Sequence, residues 1–185
     1  VTTKLTWRGG YRLLSPSEVL TKLNTGFMAR QGTSGLTVSA VYGTLDTRDG
    51  TLCYSSAGYP PPLLVNSGVA EALSAGGPPL GTCEGVEFHS GQATITPNGV
   101  LLLLSDGFEH AFSGDRAAPV SSPSSLRSLI TERCASDLIA LSRRVSQGGL
   151  PSTMLEQFAD SLDQDTGSLH QQDDMTLAVI TRLAP

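Results

Sequence analysis

A short apolar run that ends in an acidic residue constrains this 185-residue chain more than any other feature. Residues 100–104 read Val-Leu-Leu-Leu-Leu, and a serine, Asp106 and a glycine follow directly. Near the C-terminus, Asp173 and Asp174 precede a second apolar run. Short apolar runs of this kind predict strands of a buried sheet. Carboxylates at the ends of two such strands predict a hard-metal site, because Mg²⁺ and Mn²⁺ prefer oxygen ligands on a rigid support.

Each of these acidic motifs also has a simpler interpretation. Asp-Gly is among the commonest turn dipeptides, so Asp106 taken alone indicates a turn. Asp173 and Asp174 taken alone indicate the solvated end of a loop. The metal-site hypothesis therefore depends on both motifs occurring in the same chain.

The composition limits the classes of protein to which this chain can belong. With 185 residues, of which 39% are hydrophobic and 16% charged, the chain predicts a single globular domain over residues 1–185. Its net charge of −5 and its lack of a Lys/Arg cluster argue against a nucleic-acid or anionic-membrane partner. The three cysteines lack metal-type spacing and no long apolar segment occurs, which predicts a reduced, soluble, cytoplasmic protein.

The sequence pattern predicts strands first, helices next and one strand last. A helix begins at Ser15, because Glu18 three residues later completes a capping box, and its apolar stripe covers a sheet. The expected antiparallel pairs are residues 36–45 with 51–57, 63–65 with 69–73, and 86–95 with 100–105. The expected later elements are helices at 122–134, 136–147 and 151–162, a polar loop at 164–172 and a strand at 175–183. This order predicts an α+β layered domain rather than a doubly wound parallel sheet.

Five short motifs follow one another along nearly the whole chain. They are Asp46 to Gly50, Ala57-Gly58-Tyr59-Pro60-Pro61, Gly77-Pro78-Pro79-Leu80-Gly81, Ser105-Asp106-Gly107-Phe108-Glu109-His110, and Asp173-Asp174-Met175-Thr176. Each motif is weak evidence by itself, whereas five in this order are specific. With them the chain resembles the PPM family of metal-dependent protein Ser/Thr phosphatases, the protein phosphatase 2C superfamily, and within it the bacterial SpoIIE-like branch.

The resemblance implies a fold and a metal centre. The implied fold is an α-β-β-α sandwich, in which two packed antiparallel sheets are flanked by helices. Asp106 and Asp173 would be the catalytic metal ligands of a binuclear Mn²⁺ or Mg²⁺ site, with Asp174 as an alternative ligand or just outside it. Two such ions would lower the pKa of a bound water and offset negative charge on the phosphoryl oxygens. The resulting hydroxide would attack the phosphorus in line, so that no protein nucleophile is needed. No substrate-binding residue follows from the motifs.

The resemblance also implies partners for the chain. The substrate would be phosphoserine or phosphothreonine on a regulatory protein, such as an anti-sigma-factor antagonist in a bacterial stress or developmental switch. Related domains often follow a sensor or receiver module, and an upstream helix would then allow a homodimer.

Several departures from the family pattern leave a second function open. The N-terminal Gly-Asp and Asp-Gly-x-Gly-His-Gly motifs of the family are absent, and residues 2–10 have the pattern of a helix tail. We therefore expect an N-terminally truncated phosphatase fragment with an incomplete metal site. Tyr59 stands where the family usually has a histidine. His110 stands where the family usually has a glutamate, and Glu109 is displaced from that position by one residue. The alternative is a catalytically degenerate, phosphatase-like domain that binds a regulatory partner.

Other kinds of active site have less support in the sequence. His89, His110 and His170 share no close spacing with the cysteines, which argues against a zinc site. The chain has no Gly-x-Ser-x-Gly motif for a serine hydrolase, and its glycine-rich loops lack the Lys-Ser/Thr ending of a nucleotide site.

Overall fold

The computed structural model describes residues 4–7, 10–32, 34–107, 140, 143–145, 151–165, 174 and 176–184. Its elements in chain order are β1 (Lys4–Trp7), β2 (Gly10–Leu13), α1 (Pro16–Gln31), β3 (Ala40–Leu45), β4 (Thr51–Ala57), β5 (Leu63–Asn66), β6 (Val69–Ala72), β7 (Gly76–Gly77), β8 (Gly91–Thr94), β9 (Val100–Leu104), α2 (Pro151–Asp165) and β10 (Leu177–Thr181). The described helices and sheets confirm the predicted α+β class.

The chain forms two compact units, each built on its own four-stranded sheet. Unit 1 contains Val1–Pro61 and Leu73–Thr94, and unit 2 contains Pro62–Ala72 and Ile95–Pro185. The prediction of a single domain over residues 1–185 stays a prediction.

The predicted start of α1 is confirmed. The Ser15 hydroxyl accepts a hydrogen bond from the Glu18 backbone N–H at 3.3 Å, and the Glu18 carboxylate accepts one from the Ser15 N–H at 2.8 Å. Two further bonds from Arg12, at 2.8 and 2.6 Å, hold the same carboxylate. The helix ends before Gly32, whose φ of 57° suits a glycine. Reciprocal capping explains why the helix begins where it does.

Unit 1 contains a mixed sheet centred on β4. The predicted pair of β3 and β4 is antiparallel and is joined by the predicted turn at residues 46–50, although β3 begins at Ala40 and not at residue 36. The other edge of β4 is shared, because it pairs parallel with β7 and antiparallel with β8. The apolar cluster of this unit combines helix, strand and loop residues, namely Leu20, Ala57, Leu80 and Phe88.

Unit 2 contains an antiparallel sheet in the order β10-β9-β5-β6. The strands β6, β9 and β10 lie within their predicted ranges, and β5 extends one residue beyond its predicted range of 63–65. The core of the unit is Leu63, Val65, Val100, Leu102, Leu104, Val145 and Met154. Val100 and Leu102 of β9 are only 1% and 0% exposed, which agrees with the uninterrupted apolar run in the sequence. Met154 adds a side chain from α2, and α2 itself contains the predicted helix at 151–162.

The predicted hairpin between residues 86–95 and 100–105 is wrong. A turn is present, since the Gly99 N–H donates to the Thr96 carbonyl at 2.7 Å. However, β8 pairs with β4, whereas β9 pairs with β5 and β10. A turn motif predicts a reversal of the chain, but it does not decide which strands become hydrogen-bonded neighbours.

The helix tail predicted for residues 2–10 is also wrong. Residues 4–7 form β1, which pairs antiparallel with β2 so that Trp7 faces Gly10. Threonine, tryptophan and tyrosine favour strands, and a glycine at the reversal favours a tight turn. Local propensity therefore prevails over the expected helix.

The remaining helix predictions are covered only in part. The helix predicted at 122–134 lies outside the described residues, and of the one at 136–147 the described residues 140 and 143–145 are helical. The polar loop predicted at 164–172 begins inside α2, and its other residues lie outside the described part. No helix among the described residues has both the length and the apolar composition needed to cross a bilayer.

Candidate metal centre

The candidate site begins where β9 and β10 end side by side in unit 2. Leu104, the last residue of β9, faces Leu177, the first residue of β10. The pairing continues one residue further, because the Ser105 N–H donates to the Thr176 carbonyl at 3.0 Å. The two acidic segments of the sequence therefore meet at one edge of the sheet, as the pattern of the two strands predicts.

The Ser105 side chain adds two more hydrogen bonds between these segments. Its hydroxyl accepts a bond from the Thr176 backbone N–H at 2.8 Å. The same hydroxyl donates to the Asp174 carbonyl at 3.2 Å. Three bonds thus connect Ser105 to the segment that precedes β10.

Two of the three predicted metal ligands have described positions. Asp106 follows Ser105 directly and is exposed, and Asp174 is exposed two residues before Thr176. Asp173 lies outside the described residues. Over the described ranges, no group of three or more His, Cys, Asp or Glu residues is close enough together to hold a metal ion.

The three earlier motifs lie in unit 1 and make structural contacts there. A side chain at Gly58 would collide with Pro79, and the Gly58 N–H donates to the Gly77 carbonyl at 2.9 Å. The Gly81 N–H donates to the Asn24 side chain of α1 at 2.8 Å. The Tyr59 carbonyl accepts the Ser56 hydroxyl at 3.0 Å. These motifs therefore fix loops against one another.

The acidic residues of the first motif are engaged within their own turn. Asp46 accepts bonds from the Arg48 side chain at 3.0 and 2.6 Å, which lowers the pKa of the Asp46 carboxyl to about 2. Asp49 accepts the Thr51 N–H at 2.8 Å, and this bond lowers the pKa of Asp49. Both carboxylates stabilise the turn between β3 and β4.

The model of one protein family covers nearly the whole chain. Stage II sporulation protein E (SpoIIE) matches residues 9–183. The chain belongs to the SpoIIE family.

Individual relatives of this SpoIIE-family chain agree with that assignment. Over 70 residues it is 39% identical to the phosphoserine phosphatase RsbP of Bacillus subtilis (strain 168), which is 37% of this chain and 17% of RsbP. The structure of the RsbU and RsbW domains of a Mycobacterium tuberculosis protein is 25% identical, with a TM-score of 0.65, over 93% of this chain and 43% of that one. The chain therefore spans less than half of either relative.

A further structure supports the fold. The SiaA-PP2C domain of Pseudomonas aeruginosa has a TM-score of 0.68 at 18% identity, over 90% of this chain and 61% of that one. The family predicted from the five motifs and its PP2C-type α+β fold are confirmed.

The donor chemistry of the SpoIIE-family site suits a hard divalent cation. Asp106 and Asp174 offer carboxylate oxygens, with neither thiolate nor imidazole among the predicted ligands, and exposure leaves both able to reach an ion. The strand β9, which ends two residues before Asp106, contributes buried residues to the unit 2 core and gives the rigid support that a ligand needs. The residues present therefore fit Mn²⁺ or Mg²⁺.

The residue patterns did not indicate the roles of Asn24 and Ser105, two residues whose side chains connect these motifs to other segments. Asn24 is 3% exposed, and it also donates to the Cys83 carbonyl at 3.0 Å. A polar residue four positions after Leu20, on the buried side of a helix, is a signal that could have indicated it. Ser105 has a weaker signal, because a serine beside an aspartate is common in turns.

Cys53 and Cys83 are free thiols, and Cys134 lies outside the described residues.

Proposed function

We propose that this SpoIIE-family chain is a phosphatase domain that hydrolyses phosphoserine or phosphothreonine on a regulatory protein. In this proposal Asp106 and Asp173 are the catalytic metal ligands, and Asp174 is an additional ligand or lies just outside. One observation carries the proposal: the 3.0 Å bond from the Ser105 N–H to the Thr176 carbonyl aligns the two acidic segments. Family membership supports the reaction class.

The carboxylates of this site have two tasks. They hold a divalent cation with hard oxygen contacts, and they offset part of its positive charge. When bound, Mn²⁺ or Mg²⁺ supplies Lewis-acid chemistry for phosphoryl transfer to water. The chain's own contribution is position, since Asp106 is set by a buried strand and Asp174 by its backbone link to Ser105.

The names of the relatives support a regulatory substrate. RsbP is a phosphoserine phosphatase, and a Mycobacterium tuberculosis protein has RsbU and RsbW domains in one structure. We therefore propose that this chain acts in partner-switching regulation in the cytoplasm. Its substrate in this proposal is a phosphorylated anti-sigma-factor antagonist, its activity is set by a sensor or receiver module, and it forms a homodimer. A structure of the SpoIIE phosphatase domain from Bacillus subtilis, presoaked with Mn, makes Mn²⁺ the first ion to test.

The proposal is tested by measuring Mn²⁺ binding and phosphate release together. Calorimetry with Mn²⁺ and hydrolysis of a phosphoserine peptide are measured on the chain, on Asp106→Asn and on Asp160→Asn. Asp106→Asn keeps the shape of the side chain but removes a ligand charge, so we expect Mn²⁺ affinity to fall at least about tenfold and hydrolysis to be lost. Asp160→Asn is the matched control, because it removes an exposed carboxylate from α2 of the same unit.

The outcomes separate the two candidate functions. Loss of binding in Asp106→Asn alone supports the phosphatase. Equal Mn²⁺ affinity in all three proteins contradicts the assignment of Asp106. An absence of both binding and hydrolysis in the unsubstituted chain would favour the degenerate, partner-binding domain, which the replacement of the usual histidine by Tyr59 also suits.

A further inference from the structure

We propose that Ser105 is a positioning residue whose hydroxyl sets Asp174 relative to Asp106 and thereby controls cation affinity. This inference rests on the proposed function, because it concerns the same carboxylates. It adds a residue that has no ionisable group and that would not itself contact the ion.

The facing residues Ser105 and Thr176, just beyond the ends of β9 and β10, depart from regular strand pairing. At each hydrogen-bonded pair of a regular antiparallel ladder, the two facing residues exchange two bonds between their backbone N–H and carbonyl groups. Ser105 donates its N–H to the Thr176 carbonyl at 3.0 Å as expected. In the return direction, the Thr176 N–H donates to the Ser105 hydroxyl at 2.8 Å. The Ser105 side chain is therefore the acceptor at a position where a regular strand pair uses the backbone carbonyl oxygen.

The Ser105 hydroxyl both accepts and donates a hydrogen bond. While it accepts from Thr176, it donates to the Asp174 carbonyl at 3.2 Å. The hydroxyl therefore contacts the backbone at both Asp174 and Thr176. Only serine and threonine offer a short side chain that is a donor and an acceptor at once with this geometry.

The hydrogen bonds of the Ser105 hydroxyl lie next to two of the candidate metal ligands. The carboxylate of Asp106 is one residue from the bridging hydroxyl, and that of Asp174 belongs to the residue that the hydroxyl holds. Ligand groups must be held within about 0.5 Å of their working positions, and groups that orient ligands change metal affinity by about 10- to 100-fold. A hydroxyl that connects the residue next to Asp106 with the backbone of Asp174 is well placed to have such an effect.

A matched pair of substitutions tests this role. Ser105→Thr keeps the hydroxyl, and Ser105→Val has almost the same shape without it. Both β-branched residues suit the end of a strand. Ser105→Ala repeats the test without added bulk, in case the valine variant does not fold.

The measurements are Mn²⁺ affinity by calorimetry and hydrogen exchange of the Thr176 amide without metal. We expect Ser105→Thr to stay within about threefold of the unsubstituted affinity. We expect Ser105→Val and Ser105→Ala to bind Mn²⁺ about 10- to 100-fold more weakly, with faster exchange at Thr176. Rescue by threonine distinguishes a hydroxyl effect from a general loss of structure.

Two results would overturn the inference, and they differ from each other. If Ser105→Val and Ser105→Ala bind Mn²⁺ as tightly as the unsubstituted chain while Asp106→Asn does not bind, the metal site stands and the positioning role is wrong. If the unsubstituted chain and Asp106→Asn both fail to bind Mn²⁺, the proposed function fails and the positioning role fails with it.

Discussion

The motifs of unit 1 and those of unit 2 use similar residue types for different purposes. In unit 1, glycines and prolines of the motifs pack so closely that a side chain added at Gly58 would collide with Pro79. In unit 2, Asp106 and Asp174 are exposed just beyond the end of the β9–β10 pair, of which β9 is mostly buried. A family motif can therefore shape a loop or present a reactive group, and its contacts show which of the two it does.

The difference has a physical basis. A loop that packs closely needs residues without bulk, because interiors are close-packed and a single added methyl is felt. A metal ligand needs an exposed side chain on a rigid backbone, because its carboxylate must reach an ion and water while its position stays fixed. Substitutions in the unit 1 motifs should thus change stability, and substitutions at Ser105 and Asp106 of unit 2 should change cation binding.

The largest effect on stability is expected for Gly81→Ala. Gly81 has a φ of +87°, and an added Cβ would lie 2.5 Å from the Leu36 carbonyl oxygen and 2.6 Å from the Phe27 ring. Strain and overpacking together should lower the free energy of unfolding by about 3 kcal/mol. Gly85→Ala is the matched control, because its φ is +70° and nothing lies within 4 Å of the added atom.

Urea unfolding of both glycine variants measures this contrast. Gly85→Ala should lose only about 1 kcal/mol, which is the cost of the backbone conformation. Mn²⁺ affinity of the folded protein should be unchanged in both. Equal losses of stability would show that crowding at Gly81 contributes little.

A smaller loss is expected for Asn24→Ala. The buried side chain accepts from the Gly81 N–H at 2.8 Å and donates to the Cys83 carbonyl at 3.0 Å. Removing it leaves both backbone groups without this partner, which should lower the free energy of unfolding by about 2 kcal/mol. Thr25→Ala, which removes an exposed bond to the Thr21 carbonyl on the same helix, should change stability by less than about 0.5 kcal/mol. A similar result for both variants in urea unfolding would contradict the anchoring role of Asn24.

The smallest effect is the part of the pH dependence of stability that Glu18 contributes in the capping box of α1. Bonds from Arg12 and from the Ser15 backbone lower the pKa of Glu18 from 4.5 to about 2. Below pH 4.5 the unfolded chain therefore binds a proton that folded Glu18 does not, so stability falls as the pH drops towards 2. Above pH 4.5 the contribution is fully present.

Thermal melts of Glu18→Gln across this range measure the effect. The difference in Tm between the unsubstituted chain and Glu18→Gln should shrink as the pH falls, because the carboxylate loses its advantage on protonation. Glu84→Gln removes an exposed carboxylate from the same unit and serves as the control. A pH-independent difference for Glu18→Gln would rule out this linkage, and any effect on Mn²⁺ affinity would weaken the contrast between the units.

Residue patterns predicted those features that depend on neighbours along the chain. Ser15 and Glu18 predicted the start of α1, and the turn at residues 46–50 predicted the pair β3–β4. The apolar run at residues 100–104 predicted a buried strand with an acid at its end. These predictions succeeded because caps, tight turns and strand periodicity are set by a few adjacent residues.

Only the tertiary structure decided which distant segments meet. The Pro97-Asn98-Gly99 turn predicted a hairpin, yet β8 joins β4 while β9 lies between β5 and β10. The sequence pattern also did not predict the hydrogen bonds between Ser105 and residues 174 and 176. These bonds join residues about 70 positions apart, and such pairings depend on long-range packing. The sequence by itself determined the family, the buried strand β9 and the candidate ligands, because these depend on local residue patterns, and the fold determined which residue connects the two acidic segments.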